Sequence, residues 1–184
     1  MASSANGSKL IAAVQYGRIY TSIDSGFSWT ARQSDQLWIS VSSSVDGSKL
    51  VAAVNGGQIY TSTDSGVSWA VRESDRNWMS VASSGDGSKL AAVAYGDQIY
   101  TSIDSGVTWT ARDAARNWYG VAASADASRM VAIADGLQIY MSEASTTLGT
   151  GGSISGTSSD SIDLRYAGDG VFAVLSHQGS LTTQ

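Results

Sequence analysis

Three aspartates, Asp24, Asp64 and Asp104, stand 40 residues apart, each inside the same eight-residue frame. The frames run 22–29, 62–69 and 102–109 and read Ser-x-Asp-x-Gly-x-Ser/Thr-Trp. Carboxylates repeated at a fixed spacing are what a chain would use to hold a metal or grip a substrate. The residues around these three argue for a different job. Asp accepts backbone N–H bonds inside turns. Gly26, Gly66 and Gly106 permit positive φ. Trp29, Trp69 and Trp109 each bring a large apolar face that can pin a hairpin. The frame is therefore read as a structural turn, with no metal site assigned. A fourth frame, 142–149, has lost the pattern: Ala144, Thr146 and Gly149 replace its Asp, Gly and Trp.

A second recurrent set is richer in binding chemistry. Arg32, Arg72 and Arg112 recur at the same step, as do Asp35 and Asp75, and Arg76-Asn77 is repeated by Arg116-Asn117. Each group precedes a tryptophan: Trp38, Trp78 or Trp118. Guanidinium, amide, carboxylate and an aromatic face together suit a sugar, so these nine polar residues are the candidate ligand-binding set. The competing expectation is that each Arg pairs with a neighbouring carboxylate and each Trp fills the space between sheets. His177, the one histidine, falls in an expected hairpin loop with no Ser, Cys or second His beside it.

The elements that must position these residues follow from the repeat. In the third copy, 78–84 reads as a strand and Asp86-Gly87 as a hairpin turn. Residues 89–94 form a second strand, Gly96-Asp97 a turn, 98–102 a third strand and 107–112 a fourth. Apolar residues alternate instead of following a helical period. Four short antiparallel strands in 40 residues make one blade of a β-propeller. The expected fold is all-β: a propeller of about five four-stranded blades, one domain over 1–184, with units near 1–37, 38–77, 78–117, 118–160 and 161–184. The stretch 142–160 is rich in Ser, Thr and Gly and reads as a flexible loop. Residues before Gly7 read as a shortened first strand. The last unit is incomplete and leaves a sheet edge through which copies of the chain could pair.

Composition narrows the function classes. The chain has 184 residues, a net charge of −5, and neither Cys nor Pro. Its mean hydropathy is −0.05 and its pI is near 4.6. An acidic chain without clustered Lys and Arg is a poor match for nucleic acid. No apolar run approaches a membrane span. Disulfides and thiolate metal sites are excluded. The start, Met-Ala-Ser-Ser-Ala-Asn, shows no signal-peptide pattern. The compartment is left open, extracellular if such a signal has been removed. No cofactor is expected.

The Ser-x-Asp-x-Gly-x-Ser/Thr-Trp frame resembles the Asp-box, the repeat of BNR or sialidase-like β-propellers, over roughly residues 7–149. That resemblance implies that the Asp-box is structural and lies away from the ligand face. Ligands in such propellers meet two loop sets: those between the second and third strands, and those linking one blade to the next. The first set here includes Gln15, Tyr16, Asn55, Tyr95, Asp97, Asp135 and His177; the second spans 32–37, 72–77 and 112–117. A sialidase-type site would need three converging arginines, an Asp, and a Tyr nucleophile with a Glu partner. The chain has only two glutamates, Glu73 and Glu143, so the catalytic set is not carried over. The repeat also looks like the propeller of a photosystem II assembly factor, a protein binder without enzymatic activity. The expected function is non-catalytic: lectin-like glycan binding through repeated inter-blade sites. The alternative is a protein-interaction or assembly scaffold, and an Asp-box glycosidase is the least favoured reading.

Overall fold

The computed structural model describes residues 1–136, 138–143, 154–155, 161–168, 171–178 and 182–183. Among them there is no helix. Ten strands form one antiparallel meander in strict chain order. They are β1 (Ala2–Ser3), β2 (Leu10–Ala13), β3 (Gln15–Ser22), β4 (Thr30–Ser43), β5 (Leu50–Ser62), β6 (Ala70–Ser83), β7 (Leu90–Ser102), β8 (Thr110–Ala123), β9 (Arg129–Ala134) and β10 (Gln138–Glu143). The remaining strands are β11 (Ile154–Ser155), β12 (Ser161–Gly168), β13 (Val171–Gln178) and β14 (Thr182–Thr183). They pair as β12 with β13 and β11 with β14.

The long strands divide their pairing between two neighbours. The second half of β4 pairs with the first half of β5, from Trp38↔Val54 to Ser43↔Leu50. The second half of β5 then pairs with the first half of β6, as in Ile59↔Arg72. In the first repeat the equivalent segment is an explicit hairpin, β2 against β3, closed at Val14–Gly17. In all three repeats the turn is itself paired to the linking segment, Gly17↔Gln36, Gly57↔Arg76 and Asp97↔Arg116. β5 and β7 run unbroken through it because Val54 and Ala94 also have ladder partners, Trp38 and Trp78, whereas Val14 lies outside the ladder. Alternating strand direction sends these turns and the linking segments to one end of the sheet. The Asp turns and the turns opening each second strand go to the other end.

Composition explains how neighbouring repeats sit against each other. Leu50–Val54 and Leu90–Ala94 are buried at every position. Strands covered on both faces read as continuous apolar runs, and alanines at 52, 53, 91, 92 and 94 let the layers approach. Trp38, Trp78 and Trp118 open the paired second halves of β4, β6 and β8 and are 2%, 0% and 0% exposed. The expectation that this tryptophan column is core is met. Each indole meets a tyrosine of the following hairpin edge-on: Tyr60 at 5.1 Å, Tyr100 at 5.2 Å and Tyr140 at 4.8 Å between centroids. Such pairs add about 0.5–1.5 kcal/mol beyond the area they bury.

Several sequence expectations can be placed. The shortened first strand is β1, paired Ala2↔Ile11 and Ser3↔Leu10. The Asp86-Gly87 turn is longer than a two-residue hairpin: Ser84 N–H reaches the Lys89 carbonyl at 2.8 Å and encloses four residues. His177 does not sit in a hairpin loop. It lies in β13 opposite Ile162, because the ladder with β12 continues from Ser161↔Gln178. Of the 142–160 stretch read as a loop, Ser142 and Glu143 end β10, and Ile154–Ser155 pair with Thr182–Thr183. The rest of that stretch, with the degraded fourth frame from Ala144 onward, lies outside the described residues.

Candidate functional site

The two ends of the meander carry different chemistry. At one end are the Asp frames. In the second copy the Asp64 carboxylate accepts Ser68 N–H at 2.8 Å, Ser62 Oγ–H at 2.8 Å and Ser68 Oγ–H at 2.5 Å. Ser62 Oγ also accepts Gly66 N–H at 2.9 Å, and Trp69 Nε1–H donates to the Gly66 carbonyl at 3.0 Å. The copies around Asp24 and Asp104 repeat this network with Ser28 and Thr108. Both carboxylate oxygens are engaged within the turn. Hydrogen bonds from the Ser28, Ser68 and Thr108 hydroxyls, foremost, hold the three carboxyls at a pKa of about 2.

Asp86-Gly87, expected as a turn, belongs to a second family of Asp turns whose recurrence and serine partners escaped the reading of the sequence. Asp46, Asp86 and Asp126 each accept from the serine two before and the serine two after, Ser84 and Ser88 in the case of Asp86. Asn6 does the same with Ser4 and Ser8. The signal was present as Ser-x-Asp/Asn-x-Ser at residues 4, 44, 84 and 124. The hydroxyls of Ser44, Ser84 and Ser124 are the main cause that keeps these carboxyls well below the usual carboxylate range. The turns join neighbouring repeats directly. Ala5 N–H donates to Val45 O, Val45 N–H to Gly85 O, and Gly85 N–H to Ala125 O, at 2.6–2.7 Å.

These carboxylates set an acid limit. A carboxyl whose pKa is lowered by folding contributes stability that is fully present above its unfolded value of 3.8 and is lost as pH falls toward its folded value. The melting temperature should therefore be flat from pH 7 to about 5 and fall progressively from about pH 4 to pH 2. Circular-dichroism melts across that range check it, and an unchanged Tm at pH 2.5 would contradict the assignment.

The turn that opens the fourth repeat also departs from its copies. Gly47 and Gly87 have φ of +68° and +66°, whereas Ala127 occupies the same register at +51°. A left-handed Ala costs about 1–2 kcal/mol, and a Gly there would give back about 0.5–1 kcal/mol in chain entropy. Ala127→Gly should raise the unfolding free energy by about 0.5–1 kcal/mol, measured by denaturant titration.

At the opposite end lie the arginine-rich linking segments. Arg32, Arg72 and Arg112, at the start of those segments, reach back toward the Asp-frame end and donate through Nε to Thr21, Thr61 and Thr101 at 3.0, 3.1 and 3.3 Å. They hold adjacent strands together through threonine, not through a carboxylate. Asp35 pairs with Arg18 at 3.1 Å on the exposed surface. Asp75 and Asn77 are exposed. Arg76 is partly buried. Its guanidinium lies 3.4 Å from Glu73 and 3.6 Å from Asp97, and sits over the Tyr100 ring at 4.5 Å. Arg116 covers Tyr140 in the same way at 4.9 Å, and Gln36, in that register, donates to the Tyr60 hydroxyl. The register is a lid over the Tyr column. Arg76→Ala should therefore cost about 1–2 kcal/mol of stability, from the tyrosine face and paired carboxylates it leaves.

The side chains left facing solvent at this end are others. Tyr95 and Tyr119 meet edge-on at 5.6 Å and are 41% and 42% exposed. Asn117 is the register partner of Tyr95, beside the Gly96 turn. Tyr16 at the first turn is 77% exposed. In the second repeat the equivalent turn carries Asn55, whose amide donates to the Trp78 carbonyl at 3.0 Å. Of the nine polar residues expected to form the ligand site, Asn117 lies with this tyrosine pair. Tyr119 was missed because it follows a core tryptophan within a strand. Among the described residues no three His, Cys, Asp or Glu side chains gather at a metal-sized site. Among the described residues no helix is long and apolar enough to cross a membrane.

Comparison with known proteins separates fold from sequence. No protein-family model matches the chain, and no curated protein sequence matches it. Solved structures do. A structure of YCF48 bound to D1 peptide is 19% identical with a TM-score of 0.59, covering 83% of this chain and 54% of that one. The GH74 enzyme of Niastella koreensis is 22% identical with a TM-score of 0.60, covering 81% of this chain and 23% of the enzyme. The β-propeller domain of Cps50 (Swd1) from Myceliophteria thermophila is 11% identical with a TM-score of 0.64, covering 97% and 70%. The chain thus spans about half of the YCF48 structure and a quarter of the enzyme. The fold is all-β and of the β-propeller kind.

Proposed function

We propose that the chain is a non-catalytic binding β-propeller that holds a glycan at the end carrying the turns and linking segments. The supporting observation is the Tyr95–Tyr119 pair. Two half-exposed rings held edge-on present apolar faces with phenol groups at their rims, beside the Asn117 amide and an open glycine turn. Pyranose rings need that combination: an aromatic surface for the C–H face and a few placed polar groups for the hydroxyls. In this reading Arg76 shapes the end of the sheet, Asp75, Asn77, Arg116 and Asn117 border the ligand, and Arg32, Arg72 and Arg112 brace the hairpins behind it. The frames at the other end, of Asp-box type, are turn staples. No catalytic step is included in this reading; Glu73 is engaged by Arg76, and Asp24, Asp64 and Asp104 are engaged by their own turns.

The test is a glycan array on the purified chain, followed by titration of the best ligand against Tyr119→Ala. The variant should lose about tenfold or more in affinity and keep its Tm within a few degrees. Absence of any glycan binding at millimolar concentration would remove the reading.

A protein-interaction or assembly role is the second reading. It is favoured by Ile23, Phe27, Val67, Ile103 and Val107, which are 58–92% exposed along the Asp-frame end. Recurrent exposed apolar side chains mark contact surfaces.

A further inference from the structure

The seams between successive repeats are alike except for one. The first two seams retain voids of only about 10 Å³ each. Between the third and fourth repeats there is a cavity of about 430 Å³, lined mainly by apolar groups. Its walls include Ile99, Thr101, Met130, Ala132, Tyr140 and Met141.

The earlier seams show what such walls receive. A Cβ at Gly106 would lie 2.7 Å from Thr61 Cγ2 and 3.1 Å from Leu90 Cδ1, so the Asp104 turn is seated directly on those two side chains. Trp109 packs on the cluster that contains Ile59, Leu90 and Tyr100. One repeat earlier, Gly66 sits on Thr21 and Leu50 in the same manner, and Trp69 packs on the cluster holding Ile19 and Leu50. One repeat later, the counterparts of Thr61, Leu90, Ile59 and Tyr100 are Thr101, Met130, Ile99 and Tyr140. All four line the cavity. The walls of a seat for a glycine–tryptophan turn are therefore retained. The fourth frame of the sequence carries Thr146 and Gly149 where the seat calls for Gly and Trp.

We propose that this cavity is a docking site for a tryptophan-bearing turn of a partner polypeptide, with an indole entering between Ile99 and Met130. The volume exceeds that of one side chain and fits the tryptophan together with the glycine turn that leads to it. The inference rests on the repeat geometry and is independent of the glycan reading.

The probe is a synthetic decapeptide with the sequence of residues 101–110, Thr-Ser-Ile-Asp-Ser-Gly-Val-Thr-Trp-Thr, titrated into the full chain by calorimetry. Saturable binding is expected, at least about tenfold weaker when the peptide's Trp is replaced by Ala. Met141, half-exposed at the cavity wall, provides the filling variant: Met141→Trp should keep the Tm and weaken peptide binding about tenfold or more. Ala132→Leu fills the same space from the β9 side and should act in the same direction. Tyr119→Ala, at the glycan end, should leave peptide binding unchanged. No saturable binding at millimolar peptide, binding indifferent to the Trp, or binding unaffected by both filling variants would each overturn the proposal.

Discussion

Trp78→Ala is expected to lower the unfolding free energy by about 3–5 kcal/mol. Trp78 is fully buried between β5 and β7, its ring edge-on to Tyr100 and covered on the outer side by Arg76. Truncation removes the largest side chain of its core cluster and leaves alanines and short aliphatics that cannot collapse into the space. The loss is a large part of the roughly 5–15 kcal/mol that stabilises a typical domain. One detail makes the prediction sharper. Trp78 Nε1 is buried without a hydrogen-bond partner, whereas Trp38 Nε1 donates to the Ser34 carbonyl at 3.2 Å. Replacement by Phe discards the N–H in both. It should therefore cost about 1 kcal/mol more at Trp38 than at Trp78, because only Trp38 loses a bond and leaves a carbonyl behind. Denaturant titrations of the three variants measure this, and equal costs for the two Phe variants would contradict it.

Gly106→Ala should be the second large effect, at about 2–4 kcal/mol. The residue has φ of +84°, where a Cβ costs about 1–2 kcal/mol. That Cβ would also lie 2.7 Å from Thr61 Cγ2, and overpacking a fixed seat adds about 1–3 kcal/mol. Gly56 separates the two contributions. Its φ is +71°, but nothing lies within 4 Å of its would-be Cβ. Gly56→Ala should cost only the backbone strain, about 1 kcal/mol. A matched cost at both positions would mean that the Asp turns do not lock one repeat against the next.

The fold was legible in the sequence to the extent that its determinants are periodic. The 40-residue step, the alternating apolar residues and the Asp frames led to an all-β propeller, because each feature marks a strand or turn that recurs in register. The Trp column was legible as core for the same reason. The long turn around Asp86 was not, since Asp-Gly suggests a two-residue hairpin when the buried Ser84 hydroxyl that caps it is read as merely polar. The candidate site was less legible. Arg76 and Arg116 looked like ligand-facing residues because they recur in a loop. Spatially they cover Tyr100 and Tyr140, a contact set by strand register across repeats and invisible to local spacing. Tyr95 and Tyr119 carry no repeat signal at all: the matching positions hold Asn55 and Met79 in one copy, Gln15 and Ile39 in another. Tyr95 and Asn117 were reached through the loops they occupy, whereas Tyr119, a departure from the repeat inside a strand, could not be found by reading the repeat.

The division of labour between the two ends is the centre of this account, and amide chemical-shift mapping tests it most directly. The isotopically labelled chain would be titrated with the best ligand from the glycan array and its backbone resonances followed. Shifts are predicted at Tyr95, Gly96, Asn117 and Tyr119, with Gly66, Ser68, Gly106 and Thr108 unmoved. Shifts concentrated on the Asp frames, with the Tyr95–Tyr119 region silent, would place the ligand on the carboxylates and contradict their assignment as structural turns.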